Sequence, residues 1–221
     1  MLDKTQFSVN PELLTQAREW SFKDQKAVLN EPTGNFFYDP WQLKNEYRGT
    51  VWEELLNTLP TKQGEARVIY LQPGETYMAH SDIDDRWHLN ISGNQSYLIN
   101  VEEKKMYFLK ADCTWYDMDA GKIHVASNFG EVPRIQLVVR QLLKRCDSLN
   151  QTKIRIEPAY PQFDYRYKFD NKISPWLNKL NKFGFLNNFT FNGDVVEFTV
   201  AGAALTTVKE IDKEEFKVTY E

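Results

Sequence analysis

The chain has 221 residues, 42% of them hydrophobic and 14% aromatic, with a formal net charge of −4. This composition excludes a disordered chain, and an acidic balance with no Lys/Arg cluster excludes a nucleic-acid binder. No run approaches the ~18 apolar residues of a membrane span, and two cysteines, Cys113 and Cys146, are too few for a disulfide scaffold. The first residues, Met1-Leu2-Asp3-Lys4, lack the apolar run of a signal peptide. The expectation is a soluble cytoplasmic protein, with no membrane and no nucleic acid among its partners.

Residues 1–65 are expected to be mainly helical. Asn10 and Pro11 make an N-cap and a first helical residue, after which Leu13, Leu14, Ala17 and Trp20 share one helical face. Turn signals gather at Asn30, Pro32, Gly34 and Pro40. A second helix is expected over 50–59, burying Val51, Leu55, Leu56 and Leu59 and ending at Pro60.

From residue 66 the hydrophobic period becomes strand-like. Strands are expected over 66–72, 75–80, 86–92, 95–101, 105–109, 113–118, 122–127 and 134–142, with turn residues such as Pro73-Gly74 and Gly93-Asn94 between them. Short, evenly spaced strands without a helix-length gap imply a sandwich or barrel, most simply a jelly roll (a double-stranded β-helix) with flanking helices. Cys113 is expected to be a small core residue.

After Lys144 the texture changes. A polar linker is expected over 147–152 and a strand over 153–157. A helix starts with Ser174 as cap and Pro175 as first residue. A hairpin follows over 189–201 around Asn192-Gly193, then alternating segments over 203–211 and 215–221. The expected division is 1–146, a jelly-roll domain with a helical N-terminal segment, and 147–221, a small C-terminal α+β appendage. The appendage has no His and no Cys, so no chemistry is expected in it.

The three histidines, His80, His88 and His124, all fall between residues 80 and 124. His80 and Asp82 stand two apart at a strand end, and in an extended chain residues i and i+2 point the same way. Both can therefore reach one ion, and His124, on another strand of the same barrel, can add a second imidazole. Two imidazoles and a carboxylate cap one face of an octahedral metal and leave three positions open. That ligand set favours non-haem Fe(II) and oxygen chemistry over zinc.

Around this triad the sequence resembles the Fe(II)/2-oxoglutarate-dependent dioxygenases, and within them the aspartyl/asparaginyl β-hydroxylase-like branch. The resemblance is carried by the run from Pro73 to Asp82, by Arg86-Trp87-His88-Leu89, and by the run from Gly121 through His124 and Asn128 to Arg134, within residues 36–142. His-x-Asp, Arg-x-His, a distal His and an Arg beyond it stand in the family's order. The resemblance implies a cupin-like jelly roll in which His80, Asp82 and His124 are the catalytic iron ligands. It implies that Arg134 pairs with the distal carboxylate of 2-oxoglutarate, which a guanidinium can match bidentately. His88 would also reach the cosubstrate. Arg86 would line the same site, contact the substrate or brace the loop, and a simple ion pair with Asp84 or Asp85 is its structural alternative.

Animal members of the branch lack the ligand carboxylate, whereas Asp82 is present here, which brings the chain nearer to bacterial relatives and free-amino-acid hydroxylases. The loop between His80 and Arg86 is also shorter than in the animal enzymes. The implied activity is hydroxylation of an Asp/Asn-like residue of a peptide or of a free amino acid, with Fe(II), 2-oxoglutarate and O2. A cupin-like metal- or small-molecule-binding barrel without 2-oxoglutarate chemistry is the alternative, and Arg134 discriminates the two. Trp41, Trp87 and Trp115 are candidates for shaping the pocket, Tyr70 for a hydroxyl contact to the cosubstrate, and Asn128 for a turn or pocket residue. The sequence does not choose an oligomeric state.

Overall fold

The computed structural model describes residues 2–20, 22, 24, 26–145, 151–160, 168–201, 211 and 215–221. Among these, the strands expected between residues 66 and 142, except 75–80, form two antiparallel sheets of a jelly roll together with two strands from the N-terminal segment. One runs in the order β1 (Leu2–Ser8), β9 (Thr114–Met118), β6 (Arg86–Ser92), β11 (Arg134–Gln141), β5 (Gln63–Leu71) and β2 (Lys26–Val28). The other is β10 (His124–Asn128), β7 (Ser96–Asn100) and β8 (Lys105–Phe108). A cavity lined by residues of both sheets lies between them.

Register and the period of two decide what each face carries. On β11, Leu137 stands opposite Val68 on one side and Leu89 on the other. Ile135, Leu137 and Val139 join Ala66, Val68, Leu89, Ile91 and Trp115 in a core closed by helices α1 (Pro11–Glu19) and α2 (Val51–Asn57). Each fully buried Val, Leu or Ile there contributes about 1.5–3 kcal/mol. The alternate residues Arg134, Gln136 and Val138 face the cavity instead, with Arg67 and His88 beside them.

This parity removes the three tryptophans from the inter-sheet pocket. Trp87 is one residue from His88 and so lies on the opposite face, edge-on to Phe7. Trp115 is fully buried in the helix-side core, where Nε1 donates to Thr58 Oγ1 at 2.8 Å. Trp41 packs on Phe36. Tyr70 likewise faces the helices and donates to the Trp20 carbonyl at 3.4 Å. Asn128 is fully buried and braces its loop, donating to the carbonyls of Leu71 and Val132. Cys113 is only partly buried, at a left-handed backbone position with φ 61°.

Both expected N-terminal helices form, α1 at its Asn10 cap and α2 within the expected 50–59, with Thr50 as a cap not singled out from the sequence. Asn10 Oδ1 accepts from the Glu12 amide at 3.0 Å, and Thr50 Oγ1 from Trp52 at 3.3 Å. The remainder of residues 1–65 departs from the helical expectation. β1 and β2 are the outer strands of the larger sheet, and β3 (Asn30–Pro32) pairs with β4 (Trp41–Leu43). β1 is largely polar and half-exposed, as edge strands are, so it leaves no apolar run to read. The segment 75–80 also departs from its expected strand. It touches the smaller sheet only through single bridges at Thr76 and His80.

The C-terminal part forms a four-stranded antiparallel sheet in the order β13 (Leu186–Asn192), β14 (Val195–Ala201), β12 (Gln151–Pro158) and β15 (Phe216–Tyr220), with helix α3 (Ser174–Lys182) packed on it. Ser174 is not a cap, because a turn of π-helix over Phe169–Ile173 runs directly into α3 and leaves Ser174 helical. The core of this sheet includes Tyr38, Ile83 and Leu143 from the jelly-roll part. Cys146, residues 147–150 of the expected linker and residues 203–210 lie outside the described residues. Among the described residues, no helix is long and apolar enough to cross a membrane.

Candidate metal centre

His80 and His124 are directly opposed across an antiparallel bridge. Each amide donates to the other's carbonyl, at 3.1 and 2.9 Å. The rings stand 4.4 Å apart between centroids. Each Nδ1 lies against a backbone carbonyl two residues earlier, Met78 at 2.9 Å and Lys122 at 2.8 Å. A carbonyl can only accept, so these contacts assign the proton to Nδ1 and leave each Nε2 with a free lone pair. The Asp82 amide donates to Ala120 at 2.8 Å, which brings its carboxylate alongside, with Oδ2 3.7 Å from His80 Nε2. The ligand atoms of His80, Asp82 and His124 all lie within 4.8 Å of one another, a group able to hold a metal ion.

The second carboxylate oxygen of Asp82 is held by Arg86 Nη2 at 2.9 Å. Arg86 Nη1 reaches Asp84 at 2.5 Å, and Arg140 Nε donates to the same Asp84 oxygen. Two acids and two bases thus form a quartet whose charges cancel. Burial opposes ionisation of Asp82, but Arg86, then His80 and His124, outweigh it and hold the carboxyl below the ordinary carboxylate range. Burial disfavours the Arg86 cation in turn, and Asp82 and Asp84 more than offset this. Arg86 lines the cavity, but its guanidinium is committed to Asp82 and Asp84, which braces the ligand loop. Asp85, its other expected partner, accepts from Asn178 Nδ2 at 3.0 Å.

The cavity beside the triad has a volume of 170 Å³ and is lined by His80, Asp82 and His124 together with His88, Arg134 and Gln136. Arg134 is 2% exposed. Its Nη2 donates to Gln136 Oε1 at 2.5 Å, while Nε and Nη1 have no hydrogen-bond partner. No carboxylate pairs with Arg134 among the described residues. Burial lowers its pKa to about 10, which still leaves it cationic at neutral pH. Gln136 Nε2 and both ring nitrogens of His88 are also buried without partners. Gln136, Arg67 and Arg140 were not singled out from the sequence, whereas Asp84 was expected as a partner of Arg86 and is one. A signal for the β11 residues was present in Arg134-x-Gln136-x-Val138-x-Arg140, where three of four alternate positions of an otherwise apolar strand are polar.

The histidines also set a pH window. Burial, then Arg134 and His124, push His88 down to about 3. Burial, then His80, push His124 down to about 4. Unfolded, each titrates near ~6.5. Between these values the unfolded chain takes up protons that the folded chain refuses, so metal-free stability falls as the pH drops below about 6.5. At pH ~5 the expected loss is on the order of 2 kcal/mol per histidine. Asp82 is charged in both states over this window and adds nothing to the slope. Urea unfolding of metal-free protein at pH ~7 and ~5 measures the effect, and an unchanged midpoint would contradict it.

No protein-family model and no curated protein matches the sequence. Among solved structures, a cupin domain from Bordetella pertussis is similar over 37% of this chain and 84% of its own, at 13% identity and a TM-score of 0.32. The capsular polysaccharide assembling protein CapF from Staphylococcus aureus is similar over 53% of this chain, at 15% identity and a TM-score of 0.32. The match spans 31% of CapF's own length. The geometry establishes a mainly β jelly roll whose His80/Asp82/His124 group can hold a metal.

Proposed function

We propose that this chain is a non-haem Fe(II)- and 2-oxoglutarate-dependent dioxygenase that hydroxylates an amino-acid residue or a free amino acid. The observation that carries this reading is the buried guanidinium of Arg134, which shares the triad's cavity and leaves Nε and Nη1 unpartnered. An uncompensated buried charge costs several kcal/mol. Asp82 and Asp84 compensate Arg86 and Arg140, but among the described residues no side chain does so for Arg134. A carboxylate entering the cavity would complete it, with Gln136 Nε2 as a further donor.

The Nε2 atoms of His80 and His124 and a carboxylate oxygen of Asp82 would hold Fe(II), and Arg134 would hold the distal carboxylate of 2-oxoglutarate. When bound, iron and cosubstrate supply the oxidising chemistry that activates O2 for hydroxylation. The chain's own share is orientation. The carbonyls of Met78 and Lys122 keep the imidazole lone pairs turned inward, and Arg86 stops the Asp82 carboxylate from rotating. Leu98, Ala126 and Val138 line the rest of the cavity with apolar surface that excludes water.

With Fe(II), ascorbate and 2-oxoglutarate, the purified protein is expected to form succinate slowly in the absence of substrate, and His124→Ala to abolish this. Titration calorimetry should show 2-oxoglutarate binding that depends on the metal. If the metal-loaded protein binds no 2-oxoglutarate, the chain is a metal- or small-molecule-binding barrel instead.

A further inference from the structure

A second cavity, of 630 Å³, lies between the jelly roll and the C-terminal sheet. It meets the inter-sheet cavity at Arg67, Asp82 and Arg86, which line both. Phe36 and Phe37 form part of its jelly-roll side, and Phe169, Thr190 and Phe191 part of the C-terminal side. The two sides are pinned together around the ligand loop. Ser81 Oγ donates to the Asp170 carbonyl, Asn178 donates to Asp85 at 3.0 Å, and the Phe189 amide donates to the Tyr38 hydroxyl at 2.9 Å. The Phe37 and Phe189 rings meet edge-on at 4.6 Å. The C-terminal unit, which holds no histidine or cysteine, thus reaches the surroundings of a metal ligand.

Six of the seven charged side chains lining this cavity come from the jelly roll, and the seventh, Asp170, comes from the C-terminal unit. Asp82, Asp84, Arg86 and Arg140 neutralise one another. Glu65 and Arg67 stand two positions apart on β5 and both line the cavity. Arg67 Nε is 3.6 Å from Glu65 Oε2, longer than a hydrogen bond, and has no hydrogen-bond partner. Their side chains are only 18% and 16% exposed. A largely buried carboxylate and guanidinium joined only by a long ion pair without a hydrogen bond are complementary to the ammonium and carboxylate of one zwitterion. The phenylalanine rings around them suit an apolar or aromatic body. A second carboxylate, as on an acidic amino acid, would find the cavity's other guanidinium groups already engaged.

We propose that this cavity is the substrate chamber, that the C-terminal unit is its outer wall, and that it takes a free α-amino acid with an apolar or aromatic side chain. Its role as a substrate site rests on the reading of the triad as a catalytic metal centre.

The test is calorimetric titration of the full chain loaded with Zn(II), using L-phenylalanine, 3-phenylpropionate, 2-phenylethylamine and L-aspartate as probes. L-phenylalanine is expected to bind at least about tenfold more tightly than each of the others. Thr190→Trp places a bulky ring on the C-terminal wall at an exposed position and is expected to weaken L-phenylalanine at least about tenfold, with the melting midpoint unchanged. Arg67→Met is expected to erase the preference for L-phenylalanine over 2-phenylethylamine. The proposal fails if L-aspartate binds as tightly as L-phenylalanine, if either half-molecule does, or if Thr190→Trp has no effect. 2-Oxoglutarate is titrated into the same samples. Phenylalanine binding without 2-oxoglutarate binding overturns the dioxygenase reading and keeps the chamber, and the reverse result overturns the chamber alone.

Discussion

Arg134→Met is expected to weaken 2-oxoglutarate binding by at least about a hundredfold, to leave metal affinity within a few-fold of wild type, and to raise the melting temperature. The first effect follows from losing two charge-assisted hydrogen bonds at about 1.5 kcal/mol or more each, a total near 3 kcal/mol. The second follows from position, since Arg134 belongs to β11 and makes no contact with the ligand atoms of His80, Asp82 or His124 beyond sharing their cavity. The third has the opposite sign because the free protein carries this guanidinium at 2% exposure with no acid among the described residues beside it. A methionine of similar length removes that buried charge, and replacements of this kind stabilise by about 1–4 kcal/mol. In a chain of this size that is roughly 2–4 °C per kcal/mol. Calorimetric titration of 2-oxoglutarate and of Mn(II), with differential scanning calorimetry, reads all three. A cosubstrate affinity within threefold of wild type would remove Arg134 from the binding site.

Arg86→Met is expected to act in the other direction, costing the metal-free protein about 3–5 kcal/mol, the usual penalty for breaking one side of a buried ion pair. Arg140 still reaches Asp84 in such a variant, so Asp82 is the acid left bare. A divalent cation in the triad would supply the missing positive charge. Saturating Zn(II) is therefore expected to add more stability to the variant than to wild type. Arg86→Lys keeps a charge but cannot span both acids as the guanidinium does, so it should fall between the two. Urea unfolding with and without Zn(II) tests this. A metal-free Arg86→Met protein within about 1 kcal/mol of wild type would mean that the quartet does not hold the ligand loop.

Much of the jelly roll was legible from local signals. β6 and β11 were readable from alternation and turn residues, with β6 at Arg86–Ser92 as expected and β11 one residue shorter than expected. The helix cap at Asn10 was legible because a cap is a contact between near neighbours. β1 and β2 were not, since an edge strand is held by backbone pairing to a distant partner and leaves little trace in its own side chains. Ser174-Pro175 misled for a related reason. The residues give a sound capping pattern, but the preceding turn is already helical, and packing of Phe169 and Ile173 into the C-terminal core decides where the helix begins.

The sequence by itself determined the chemistry available to this protein. It placed His80 and Asp82 two residues apart on an extended segment, supplied two more histidines, His88 and His124, on barrel strands, and set an arginine at the start of β11. These are properties of residue type and short spacing. The tertiary structure alone decided which face of each strand looks inward, and that choice sent His88 into the cavity and Trp87 away from it. It also joined Arg86, Asp84 and Arg140 into one neutral network, left Arg134 unpaired beside Gln136, and brought Phe169 and Phe191 to the ligand loop. The physical reason is that charge compensation and enclosure depend on which distant segments meet. Those meetings follow from the packing of whole sheets and are not written in any single stretch of the chain.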